Sequence, residues 1–296
     1  MVDRRTFMGT ASAVMLAGPS TWLGANPLGL PAQDNRIRSI GLQLYTVRDE
    51  MAKDFDGTLA RVAALGYKEV EFAGYFNRTP KDVRAVLDRH GLTSPATHVD
   101  LKTLRENLPQ VIETAGIAGH QFVVLPWLDD AARQQPDVWK RVAETLNAAA
   151  AAGSKSSVQF AYHNHHFEFA PADGKLPYDV LLDSCDPAVK MELDLCWITA
   201  AGKDPVAYFQ RYPGRFPMVH VKDLKKVPAG PTPGALPIDQ ILPDVTDVGS
   251  GSIDWKRIFA QSTTAGIRHY FVEHDRPARP FESLETSYKY LRNLTF

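Results

Sequence analysis

The chain has 296 residues, enough to bury a sizeable core and enough for one α/β barrel, which typically needs about 250. Its 33 Lys and Arg balance 34 Asp and Glu, without a basic stripe or aromatic–basic interleaving, which argues against nucleic acid as a partner. At 44% hydrophobic residues the composition is that of a globular protein, not of a disordered chain.

The N-terminus differs from the rest. Arg4 and Arg5 precede Thr6-Phe7-Met8 and the run GTASAVMLAG. This resembles a twin-arginine export signal, with Asp3 and Met8 where such signals often carry Ser or Thr and Leu. The apolar run is too short and too rich in small residues to span a bilayer, so no stable membrane span is expected in the mature protein. The expectation is a leader over residues 1–32, a periplasmic destination and a folded domain over 33–296. A clean A-x-A site is missing, and an ordinary leader or an uncleaved anchor is the competing reading.

From about Ala32 onward, strand-like and helix-like segments alternate. Strand patterns fall at IGLQLY (40–45), EVEFAG (69–74), SPATHV (94–99) and QFVVLP (121–126). Between them DGTLARVAALG and KDVRAVLDRHG carry apolar residues at helical spacing and end in a glycine suited to a C-cap. VWKRVAETLNAAAAAG forms a longer helix pattern, and FESLETSYKYLRNL forms the last. Four further apolar runs follow the first four: FAYHNHHFEF from Phe160, KMELDLCW from Lys190, FPMVHVKDL from Phe216 and YFVEHD from Tyr270. Eight strands alternating with helices predict a single-domain (β/α)8 TIM barrel.

Each of the last four runs stops on a polar cluster. Parallel strands that end together would bring one His, Asp194, His220 and Glu273 to one place, a mixed nitrogen and oxygen site for a divalent metal. A Pro- and Gly-rich loop from Lys225 to about Asp247 would lie over that site, as a lid or as an inert insertion. The two cysteines, Cys185 and Cys196, form no C-x-x-C motif and read as small apolar side chains, with a disulfide as the alternative.

GLQLYTVRDE, GYKEVEFAG, YHNHHFEF, ELDLCW, HVKD and VGSGSIDW, in that order, resemble the sugar phosphate isomerase/epimerase family. That family lies in the xylose-isomerase-like TIM-barrel superfamily, with endonuclease IV and inosose dehydratase. The resemblance runs from Ile37 to the C-terminus. It implies one divalent ion (Mn, Zn, Mg or Co) held by strands five to eight, with Asp194, His220 and Glu273 as ligands from the last three. Family epimerases carry a Glu ligand on strand five. Here a gapless match places Tyr162 there, beside His163 and His165. His163 is the expected ligand and His165 the alternate, since both share strand parity.

The resemblance implies a carbohydrate ligand and proton transfer next to its carbonyl. Family epimerases use two glutamates, and only Glu273 remains here. Glu168, at a family substrate-contacting position, and His165 are the other expected acid–base groups. Trp197 replaces a family His and offers a stacking wall. His98, Trp127, Lys222, Gln43 and Tyr45 are expected to touch substrate. The competing readings are a structural His98, a core Trp127 and a Lys222–Asp223 ion pair. Glu192, deeper than Asp194, reads as its supporting partner. The expected activity is isomerase/epimerase-like on an unphosphorylated or oxidised sugar. A keto-sugar (3-keto-glycoside) lyase or dehydratase is the alternative, and a non-catalytic sugar-binding barrel the second alternative.

Overall fold

All eight expected strands form. The computed structural model describes residues 35–172, 174–230 and 236–296. The leader assigned to residues 1–32, and with it the boundary at 33, lies outside the described residues. The strands are β1 (Ile40–Gln43), β2 (Glu69–Phe72), β3 (Thr93–His98), β4 (Phe122–Leu125), β5 (Gln159–His163), β6 (Lys190–Asp194), β7 (Met218–Val221) and β8 (His269–Val272). Each pairs in parallel with its neighbours in sequence, and β8 pairs with β1 to close the barrel.

Several strands end earlier than their apolar runs because polar side chains there start the next turn. The Gln43 carboxamide accepts from the Tyr45 amide at 3.0 Å and opens a 3-10 turn over Leu44–Val47. Asp194 Oδ1 accepts from the Trp197 amide at 2.7 Å and N-caps the helix Leu195–Ala200. The helices Phe55–Leu65 and Pro80–His90 stop at Gly66 and Gly91, whose φ values of 110° and 63° lie in the left-handed region.

Strand alternation divides the buried residues into two sets. Val70, Val123, Phe160, Tyr162, Leu193 and Val219 face outward into the core beneath the helices. Ala96, Phe122, Val124, Ala161, Met218 and Phe271 face inward and form a separate apolar plug in the barrel. Burying a ring such as Phe122 or Phe271 contributes about 2–3 kcal/mol. Gly41 makes room for the plug, because a Cβ there would lie 2.6 Å from the Phe271 ring. Toward the strand C-termini the inward row turns polar: Gln43, Glu71, His163, Glu192, Asp194 and His220 are all buried. The plug closes the barrel from below, so this polar band opens only at the C-terminal face.

The loop after β7 carries more structure than its composition implies. Asp223–Leu224 and Val245–Thr246 form a two-stranded antiparallel ribbon, with short helical turns at Ile238–Ile241 and Leu242–Asp244. Residues 231–235 of this loop lie outside the described residues. Asp223 anchors its far end. Its carboxylate accepts from the amides of Gly249, Gly251 and Ile253 and from the Trp255 indole. Lys222 therefore does not pair with Asp223, which removes the competing reading of that residue. Cys185 and Cys196 are both buried and free.

Candidate metal centre and cavity

His220 organises the polar band. Its Nδ1 lies 3.0 Å from Glu273 Oε2 and 3.7 Å from Asp194 Oδ2. Its Nε2 lies 2.7 Å from Glu71 Oε2 and 3.3 Å from Glu192 Oε2. One ring thus joins two groups of carboxylates on opposite sides. Burial would lower His220, but Glu192 and Glu273 prevail and raise it well above the ordinary imidazole value, so without an ion both nitrogens donate; with a cation bound, an Nε2–H kept on Glu71 would leave the Nδ1 lone pair for the other side.

On the Nδ1 side, His163, Asp194 and His220 each offer a donor atom, all within 4.8 Å of one another. The His163 ring packs 4.3 Å from the His220 ring, and its Nε2 lies 4.0 Å from Asp194 Oδ2. Asp194 Oδ1 is committed to the helix cap, while its buried Oδ2 faces His163 and the Lys222 ammonium. Two buried imidazoles and a carboxylate whose donor atoms converge on one point suit an ion of the Mn, Co or Zn type. Glu273 reaches the same His220 nitrogen. These residues fit the expected metal.

A buried lysine offsets part of the negative charge on this side. Lys222 is buried, with its ammonium 2.6 Å from Glu273, 3.0 Å from Asp194 and 3.3 Å from Asp275, and 4.9 Å from the centre of the Trp197 ring. Burial would raise the Glu273 carboxyl, but Lys222 and His220 outweigh it and hold it well below the usual carboxylate range. Burial pushes Asp194 up to about 6, against Lys222 and His220. Burial and the charge of His220 hold His163 well below the ordinary imidazole value, and burial and Lys222 do the same to His165. Both are therefore neutral near pH 7, as a ligand or a base must be. On the Nε2 side, His98 Nε2 sits 3.3 Å from Glu71 and 3.2 Å from Glu192. Burial would lower His98, but these two carboxylates prevail and raise it to about 9.

A cavity of about 890 Å³ opens above this band. His98, His163, His165 and Glu273 form its floor, with Tyr45 and Trp127 on its walls. These expected site residues therefore come together. Four others expected to act on or touch substrate do not reach the cavity, and the first is Lys222, which is fully buried against Asp194, Glu273 and Asp275. Trp197 is fully buried beneath His165 and Lys222, because the helix capped by Asp194 turns it inward, so it is no stacking wall. Glu168 is buried with both oxygens engaged, by the Tyr162 hydroxyl at 2.7 Å and the His165 amide at 2.8 Å, so it holds the loop in place of exchanging protons with a ligand. Gln43 is fully buried and donates to Glu71 at 2.7 Å. Tyr162 points outward against Trp139, which leaves His163 as the inward residue of β5. The closure of Glu71 and Glu192 on His98 is not read from the sequence, where Glu71 has only its inward parity, Glu192 reads as a partner of Asp194, and Asp275 reads as orienting the neighbours of Glu273 or starting the last loop.

Residues 59–294 match the family described as xylose isomerase-like TIM barrel. The chain belongs to this family. Its relatives include an inosose dehydratase of Lacticaseibacillus casei, 23% identical over 281 residues that cover 82% of this chain and 91% of that protein. A crystal structure of a sugar phosphate isomerase/epimerase from Parabacteroides distasonis is 27% identical, with a TM-score of 0.68, covering 89% of this chain and 99% of that one. The IolI protein, solved with a bound zinc atom, shares the fold at 17% identity and a TM-score of 0.64, covering 85% and 95%. Among the described residues no helix is long and apolar enough to cross a membrane.

Proposed function

We propose that the protein is a divalent-metal-dependent enzyme of the xylose isomerase-like family that removes the proton next to the carbonyl of an unphosphorylated or oxidised sugar and expels the oxygen substituent beyond it. The observation that carries this reading is the β5 position. There a neutral imidazole, His163, faces inward in place of a carboxylate, so the pair of glutamates that would serve both faces of an epimerisation is missing. The name of the inosose dehydratase relative supports elimination as well.

His163, Asp194, His220 and Glu273 would hold the ion. When bound, it would polarise the carbonyl and stabilise the negative charge that develops on its oxygen. Neutral His165, at the cavity floor, takes the proton, and the C–H electron pair moves into the enediolate. The electrons then return to expel the oxygen on the next carbon, which takes a proton from His98, held charged between Glu71 and Glu192. The products are an unsaturated ketone and water or an alcohol. A proton relay of this kind contributes roughly 10²–10⁴-fold to rate. Isomerisation is the second reading, supported by the likeness to the Parabacteroides protein.

The test is turnover of 3-keto-glycosides in D₂O by metal-loaded protein. Elimination gives an ultraviolet-absorbing enone, and isomerisation gives a deuterated sugar without it. Formation of neither the enone nor a deuterated sugar from any keto-sugar rules out both. We further infer export from Arg4 and Arg5. Retention in the cytoplasm of an Arg4→Lys, Arg5→Lys variant is expected, and unchanged distribution would count against it.

A further inference from the structure

The cavity is larger than its reacting floor requires. From His98 and His163 it runs sideways as a groove between the segment after β2 and the helices after β3. Its outer wall carries Thr103, Asn107, Gln110 and Thr114. Thr103 lies on the helix Leu101–Glu106, Asn107 at the junction, and Gln110 and Thr114 one turn apart on the helix Leu108–Ala118. All four are neutral and can both donate and accept hydrogen bonds.

Aromatic side chains supply the second half of the pattern. Among the described residues the exposed large hydrophobic side chains are Tyr45 (43%), Trp127 (39%) and Leu236 (38%). The two aromatic ones both line this cavity, and Tyr75 faces it from the opposite wall. Exposed rings beside hydroxyl and amide groups form a surface for the apolar faces and hydroxyl edges of sugar rings. The charge decides against other ligands. Among the described residues that line the cavity there is no lysine or arginine, whereas Asp100, Glu273 and Asp275 are present. A phosphate or carboxylate group would meet Asp100 in the groove, and the ammonium of Lys222 is buried behind the lining and already paired with Glu273 and Asp275.

A single hexose has only about a dozen non-hydrogen atoms, and 890 Å³ lies near the top of the roughly 300–1,000 Å³ that enclose much larger drug-sized ligands. We propose that the groove is a saccharide subsite that takes the neutral sugar or glycosidic partner attached to the reacting ring. The enzyme's substrate class is then neutral disaccharides or glycosides, not single sugars or sugar phosphates. The placement of the reacting ring rests on the function proposed above; the groove itself does not.

Isothermal titration of metal-loaded full-length protein with glucose, maltose, cellobiose and glucose 6-phosphate tests this. At least one disaccharide is expected to bind tenfold or more tightly than glucose, and glucose 6-phosphate more weakly than glucose. Gln110→Trp, at an exposed helix position in mid-groove, is expected to bring the disaccharide-to-glucose ratio toward one, with its fold checked by circular dichroism. Thr114→Trp serves if that variant does not fold. Equal affinity for glucose and both disaccharides, tighter binding of the phosphate, no binding of any disaccharide, or a ratio unmoved by filling the groove would each overturn the proposal. Disaccharide preference without keto-sugar turnover would leave the subsite standing and remove the eliminative chemistry. Turnover without that preference would do the reverse.

Discussion

Glu71→Gln tests whether His220 is set up from behind. Glu71 is buried, and its Oε2 lies 2.7 Å from His220 Nε2. An ionised acceptor at that distance fixes the proton on Nε2, frees Nδ1 and makes the ring a stronger donor toward a cation. A glutamine fills the same volume. Its carbonyl can still accept from Gln43 and from His220, so packing and a neutral hydrogen bond survive while the charge is lost. Glu192, 3.3 Å from the same nitrogen, remains as a weaker acceptor. The loss should therefore be partial, about 10–100-fold in metal affinity, or about 1.4–2.7 kcal/mol. Co(II) titration against a competing chelator measures it, and the Co(II) visible spectrum reports the ligand set. Asp194→Asn, which alters a ligand itself, should cost more. If Glu71→Gln binds Co(II) within twofold of the parent with an unchanged spectrum, the carboxylate does not tune His220.

Three further outcomes follow from the same geometry. His163→Ala is expected to lose the metal, whereas Tyr162→Phe keeps it and costs about 1–2 kcal/mol of stability for the lost bond to Glu168; metal loss in the tyrosine variant would reverse the β5 assignment. Burial, opposed by the Tyr162 hydroxyl, raises Glu168 from 4.5 to about 7, so its contribution to stability is full below pH about 4.5 and is lost as pH rises through about 7. Glu168→Gln should then gain on the parent between pH 5 and pH 8 by up to about 3 kcal/mol in urea unfolding, and an equal difference at both pH values would contradict this. Gly251→Ala would bring a Cβ within 2.3 Å of Asp223 Oδ1 and 2.4 Å of the Leu224 carbonyl, with an expected loss of about 2 kcal/mol or more; an unchanged unfolding midpoint would show that the Asp223-anchored turn is slack.

What the sequence made legible is what strand parity controls. Eight apolar runs gave the barrel, and the polar clusters that end the last four gave the face on which the site lies. Alternation along β5 assigned His163 inward and so Tyr162 outward, although the family pattern placed its own ligand at residue 162. Parity fails where a strand ends. The apolar run KMELDLCW continues past Asp194, but the Asp194 side chain caps a helix, and from there a helical turn directs Trp197 into the core. Glu168 was misread for a related reason: beyond His163 the chain enters a loop and a short 3-10 turn, where its carboxylate closes on Tyr162 and the His165 amide.

The two faces of His220 illustrate a different limit. Glu71 and Glu192 carry inward parity in the sequence, but parity cannot tell a carboxylate that meets solvent from one that closes on an imidazole across the barrel. That distinction depends on the register between β2, β3, β6 and β7, which pairs Asp194 with His220 and sets Glu192 one step deeper beside Met218. The groove was harder still to see. Thr103, Asn107, Gln110 and Thr114 repeat at helical spacing, as the polar side of any surface helix does. Only the closure of the barrel, which brings those helices beside Tyr75 and the open end of the site, distinguishes their side from an ordinary solvated one.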